Sequence, residues 1–105
     1  MINNKKIVVV MPAFNAGATL EKTYEAIPKE FVDEIILVDD RSSDDTVKVS
    51  KKLGITTFEH KKNLGYGANQ KTCYKLAKKL QADIVIMLHP DFQYNPALIP
   101  SLVSM

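Results

Sequence analysis

His89, Asp91 and Gln93 stand at alternate positions directly after the apolar run Ile84 to Leu88. Alternate side chains of an extended segment project to one side, so an imidazole, a carboxylate and an amide oxygen would share a face. That donor set suits an open site for Mg2+ or Mn2+, completed by ligand phosphates and water. A second acidic pair, Asp39 and Asp40, leaves another apolar run. Neighbours on an extended chain point opposite ways, so one carboxylate can meet a ligand while the other supports the loop. Turned to a ligand, it would accept hydrogen bonds from a base N–H or a ribose hydroxyl. The third place is "PAFNAG", where Pro12 makes a rigid turn, Phe14 offers a ring, and Asn15 and Gly17 lead into the next element. A base stacked on such a ring gains about 1 to 3 kcal/mol. Each set also has a plain structural use: a hydrogen-bonded loop histidine, two acids ending a strand, a core phenylalanine.

Positioning these residues requires regular elements, and four apolar runs supply them: "KIVVVM" (6–11), "EIILV" (34–38), "ITTF" (55–58) and "DIVIML" (83–88). Three lack polar alternation, as strands covered on both faces of a parallel sheet do. The third is weaker and belongs nearer an edge. Leu20, Tyr24 and Ile27 mark a first helix that stops before Pro28. "SSDDTVKVSKKLG" predicts a second, with Ser42 or Ser43 as N-cap, Asp44 and Asp45 in the first turn and Gly54 just past the end. A third, from about Gly67 to Leu80, gathers Cys73, Leu76, Ala77 and Leu80 on one stripe and leaves Lys71, Lys75, Lys78 and Lys79 outside. Pro100 suits the start of a further helix holding Leu102 and Val103. Alternation of this kind predicts an α/β fold, a Rossmann-like parallel sheet with flanking helices and right-handed crossovers. Ligands of such sheets collect beyond the carboxyl ends of the strands. The loops to inspect are therefore "PAFNAG", "DDRSSDD", "HKKNLGYG" and "HPDFQYNP", whereas Asp33, Glu34 and Asp83 precede strands and need no functional account.

Composition narrows the class. The 105 residues allow one core, burying roughly 60 to 70% of the extended chain's surface. Fourteen basic and twelve acidic residues give a net charge of +2 with no dense basic block, which argues against a nucleic-acid partner. The lone Cys73 excludes an internal disulfide and a cysteine-cluster metal site, and fits a buried thiol in a reducing, cytoplasmic compartment. The apolar stretch Ile7 to Met11 is too short for a secretory core or a membrane span. Neither a G-x-G-x-x-G turn nor Walker spacing occurs, so both phosphate-loop readings fall.

In order, "VVVMPAFNAGATL", "EIILVDDRSSDDT", "NLGYGANQKT" and "DIVIMLHPDFQYNP" resemble the family 2 glycosyltransferases of GT-A fold, especially the dolichyl-phosphate mannosyltransferase-like branch, over nearly the whole chain. The resemblance implies a donor half that binds a nucleotide-diphosphate sugar of UDP or GDP type. Carried over, Pro12, Ala13, Phe14 and Asn15 border the base, and Asp39 and Asp40 form the acidic pair, Asp40 holding base or ribose. His89, Asp91 and Gln93 take the places of the family's Asp-x-Asp and the Gln beyond it, where a divalent cation bridges the diphosphate. His89 in place of the first Asp removes a negative charge and puts the identity of the cation, Mg2+ or Mn2+, in question. Ala16 stands where many relatives carry Glu. The chain is expected to be a truncated domain, residues 1–105 providing the donor half, with the acceptor half and any membrane contact beyond Met105. The complete enzyme would transfer the sugar to an acceptor hydroxyl, on a glycan or a lipid phosphate, at the cytoplasmic face of a membrane. A nucleotide-binding or interaction domain without catalysis is the alternative. A receiver-like domain would need an acidic cluster where "PAFNAG" stands.

Overall fold

The computed structural model describes residues 1–90. Asp91, Gln93 and the helix expected at Pro100 lie outside them. β1 (Ile7–Ala13) is buried along its whole length. Val9, Met11 and Ala13 pack to one side with Leu20, Ile27 and Leu37, and Val8 and Val10 to the other with Cys73 and Ala77. A strand with no polar alternation is stable only with both faces covered.

Beside it run β2 (Glu34–Asp39), β3 (Thr56–Glu59) and β4 (Ile84–Met87), all parallel, in the order β3-β2-β1-β4. The weak third run does lie on an edge. α1 (Gly17–Ala26) and α2 (Thr46–Lys52) cover the Val9 face, and α3 (Tyr66–Lys79) covers the Val8 face. The chain steps outward from β1 to β3 and then crosses through α3 to β4 on the far side of β1. Strand order therefore reverses between β1 and β4, and the crevice at their carboxyl ends is the switch point. Pro12 helps open it. The Val10 carbonyl faces β4 and accepts the Leu88 N–H at 3.0 Å; two residues on, the donor that Pro12 lacks would point the same way, past the last β1–β4 pair, Val10 with Met87.

At the opposite edge the Asp33 and Asp83 carboxylates accept the N–H groups of Ile7 and Lys6, each at 2.7 Å. They clamp the start of β1 to both neighbours, a structural duty. Cys73 is fully buried, and burial pushes its thiol up to about 12. Lys71, Lys75, Lys78 and Lys79 are exposed on α3. Among the described residues no helix is long and apolar enough to cross a membrane.

The start of α2 differs from expectation. Neither Ser42 nor Ser43 caps it; the helix begins at Thr46, with Asp44 and Asp45 ahead of it and no side-chain bond from its own N-cap, Asp45. The serines are consumed in joining two loops. Ser42 Oγ accepts the Asn15 N–H at 2.8 Å, and the Ser43 N–H donates to Asn15 Oδ1 at 2.8 Å. Asp44 takes over at the helix start. It accepts the Thr46 N–H at 3.0 Å, the Thr46 hydroxyl, and the Gly17 N–H at 3.0 Å from the first turn of α1. A Cβ at Gly17 would meet the Asp44 and Asp45 carboxylates, so a larger residue there would force the Asp45 side chain to turn away.

Burial opposes the ionisation of Asp44, but the Thr46 hydroxyl and amide and the Gly17 amide together outweigh it and hold the carboxyl below its ordinary 3.8. Asp44→Ala is expected to cost about 1 kcal/mol in urea melts at neutral pH, the usual loss of a helix-capping side chain. The native state binds fewer protons than the unfolded chain near that ordinary value. The contribution is therefore complete above pH 3.8 and lost as pH falls through the lowered native value, so the gap between wild type and Asp44→Ala should close in acid.

Candidate functional site

A cavity of about 360 Å³ opens at the carboxyl edge of the sheet. Pro12, Ala13 and Phe14 form one wall, Asp40 the floor, and Asn63, Gly65, Tyr66 and Asn69 the wall belonging to α3 and the segment before it. Strand alternation explains how the acidic pair divides. Ile36 and Val38 face α3, so Asp40 continues that side, and Asp39 turns to the other, where it accepts the Ser42 N–H at 2.9 Å and the Ser42 hydroxyl.

Asp40 is only 3% exposed. Its Oδ1 accepts from the Leu64 N–H at 2.8 Å and faces His60 Nδ1 at 2.9 Å; its Oδ2 accepts from the Gly65 N–H at 2.9 Å. A carboxylate offers about four acceptor positions, so three are filled and one on Oδ2 remains. Burial alone would raise its pKa. The Leu64 amide, His60 and the Gly65 amide overcome that penalty and hold the carboxyl below its ordinary value, leaving a charged acceptor at neutral pH. Gly65 supplies its N–H from a backbone with φ of 93°, a conformation that favours glycine.

The rim is aromatic. Phe14 is 46% and Tyr66 53% exposed. The Tyr66 hydroxyl lies 3.0 Å from the His89 ring nitrogens and accepts from Gln70 Nε2 at 3.0 Å, while the Tyr66 and His89 rings lie tilted with centroids 5.4 Å apart. Tyr66 thus links the cavity to the end of β4. Asn69 Nδ2 donates to the Val38 carbonyl at 3.0 Å and Asn63 Nδ2 to the Asp40 carbonyl at 3.2 Å, tying this wall to β2 and the residue after it.

Of the residues singled out in the sequence, Pro12, Ala13, Phe14 and Asp40 meet at one cavity. Asn15 and Asp39 do not line it; Asn15 Oδ1 serves Ser43 and Asp39 serves Ser42. His89 stands beside Tyr66, and Asp91 and Gln93 lie outside the described residues. Among the described residues no three His, Cys, Asp or Glu side chains come close enough to hold a metal ion. Sequence reasoning missed His60, Asn63, Tyr66 and Asn69. The place of "HKKNLGYG" beyond the carboxyl end of a strand marks the segment, but not which of its side chains turn to the cavity.

Fold and site together define a GT-A-type α/β domain. Residues 8–105 match the family model for glycosyl transferase family 2, and the chain belongs to that family. An uncharacterized protein of Methanocaldococcus jannaschii is 34% identical over 103 residues, covering 98% of this chain and 42% of that protein. The UDP-N-acetylglucosamine–dolichyl-phosphate N-acetylglucosaminyltransferase of Methanococcus voltae is 27% identical, covering 96% and 47%. Glucosyl-3-phosphoglycerate synthase of Mycobacterium tuberculosis in complex with UDP superposes with a TM-score of 0.79 at 28% identity, covering 96% of this chain and 39% of that one. The same synthase has been solved with Mn2+, UDP and glucosyl-3-phosphoglycerate. The chain thus spans less than half the length of these relatives.

Asp40→Ala would leave two amides and an imidazole without their acceptor. It is expected to cost about 2 to 4 kcal/mol in urea melts, the range for orphaned buried donors, and to speed hydrogen exchange at the Leu64 and Gly65 amides. Unchanged exchange at both amides would contradict the anchoring role.

Proposed function

We propose that this chain holds the donor of a glycosyltransferase, a nucleotide-diphosphate sugar of UDP or GDP type, for transfer to an acceptor hydroxyl or lipid phosphate. The observation that carries this reading is the cavity itself, where an ionised floor carboxylate with one spare acceptor position lies beneath exposed Phe14 and Tyr66. Uracil and guanine each carry a ring N–H beside a carbonyl, a donor that Oδ2 of Asp40 can accept. Phe14 stacks on the base, Pro12 and Ala13 form the wall beside it, and Asn15 and Asp39 hold the loops from behind. A similar synthase has been solved in complex with UDP, which supports a nucleotide diphosphate as the ligand class.

His89, Asp91 and Gln93 would hold a divalent cation. Imidazole nitrogen with carboxylate and amide oxygens fits such an ion, and the nitrogen favours Mn2+ over Mg2+. Bound there, the cation supplies positive charge to the leaving diphosphate. Within the family, the Gln93 spacing and the similarity to a dolichyl-phosphate transferase support the dolichyl-phosphate mannosyltransferase-like branch, with a polyprenyl phosphate as acceptor and the whole protein working at a membrane's cytoplasmic face.

Calorimetric titration with UDP and with GDP, each with and without Mn2+, is expected to give binding with one of them. Phe14→Ala should weaken it about tenfold, equivalent to ~1.4 kcal/mol and within the range for base stacking. No heat from either nucleotide under any of these conditions would sink the reading. Binding without sugar transfer by the longest natural product carrying this domain would favour the non-catalytic alternative.

A further inference from the structure

Asp40 can present its spare acceptor position to a base only if the carboxylate does not rotate, and the structure shows what prevents that. Two of its three donors are backbone amides on one short segment, Leu64 and Gly65. The third is the His60 side chain, 7% exposed and anchored on three sides. The His60 backbone N–H donates to the Asp39 carbonyl at 2.8 Å. Its Nε2 lies 2.9 Å from Thr72 Oγ1 on α3, and Phe58 packs edge-on against its ring with centroids 6.3 Å apart. An ionised carboxylate only accepts, so Nδ1 carries the proton toward Asp40 whether the ring is neutral or charged.

We propose that His60 is a positioning residue of the nucleotide site, fixing Asp40 through its Nδ1 donor so that the free Oδ2 position faces the cavity. The proposal rests on the nucleotide reading above. His60 acts at a distance from the ligand, since it does not line the cavity. It joins the floor carboxylate to α3 through Thr72, so the floor and the Tyr66-bearing wall keep one spacing.

His60→Asn and His60→Gln separate positioning from bulk packing. An asparagine amide places a donor close to where Nδ1 stands, and a glutamine amide places one nearer Nε2. Titration of the chain with UDP and with GDP in the presence of Mn2+ is expected to show His60→Asn within about threefold of wild type and His60→Gln weakened about tenfold, the size of one lost charge-assisted hydrogen bond. In nucleotide-free protein the Leu64 and Gly65 amide proton shifts should persist in His60→Asn and move in His60→Gln. Equal loss in both variants, equal retention in both, or loss in His60→Asn alone would each overturn the inference while leaving the nucleotide reading standing. Absence of binding by wild type would overturn both.

Discussion

A carboxylate nearly shut off from water stays ionised only where fixed donors replace the lost hydration. Asp40 meets that condition with amides contributed from 24 and 25 residues further along and an imidazole 20 residues away. Much else at this edge follows from it. The segment between β3 and α3 has no ladder of its own, and the bonds to Asp40 give it one conformation. Had those donors been absent, burial would have driven the carboxyl toward its neutral form, and the floor would offer a hydroxyl in place of a charge.

The same device recurs at the helix starts. α1, α2 and α3 each begin without a side-chain bond from their own N-cap, residues Ala16, Asp45 and Gly65. Aspartates other than the N-cap residue stand in, Asp44 from just ahead of α2 and, for α1 and α3, Asp44 and Asp40 from other segments. Asp44 serves the first turns of α1 and α2 together, and Asp40 receives the amide of Gly65, the N-cap residue of α3. Negative charge at a helix N-terminus also complements the helix dipole. Two carboxylates thus secure three helices and, with them, the loops that enclose the cavity. Movement of either loop would therefore break a bond to a helix start.

This arrangement explains what was legible in the sequence. β1 and β2 were readable because an unbroken apolar run suits the interior of a parallel sheet; β4 reads the same way, yet among the described residues it forms the other edge and is half-buried. The opposed directions of Asp39 and Asp40 were readable because strand alternation is local. Pro12, Ala13, Phe14 and Asp40 could be placed together from topology alone, since Pro12 and Ala13 end β1 while Phe14 and Asp40 directly follow β1 and β2 at their carboxyl ends. The N-cap of α2 was misread because Ser42 and Ser43 have the right chemistry for a cap, and only the partner loop at Asn15 decides that they serve elsewhere. His60 escaped notice for the same reason. A histidine after an edge strand carries no local mark of its partner, and nothing in "HKKNLGYG" says that Asp40 waits beneath it.

Charge distribution along the cavity then sets a direction for the donor proposed here. Asp40 is anionic, so a diphosphate would be repelled from the floor and the uncharged base is the part that fits above it. On that proposal the phosphates would lie toward the switch point between β1 and β4, past the last β1–β4 pair, where the chain leaves β4 through Leu88 and His89. At that end, on the same proposal, an imidazole in place of a carboxylate would lessen repulsion of the diphosphate even before a cation is considered. Tyr66 reaches both ends, lining the cavity with its ring and meeting His89 with its hydroxyl. Recognition of the base at Asp40 and retention of the phosphates near His89 would therefore be coupled through α3, whose first residue is Tyr66 and whose second turn holds Thr72 against His60.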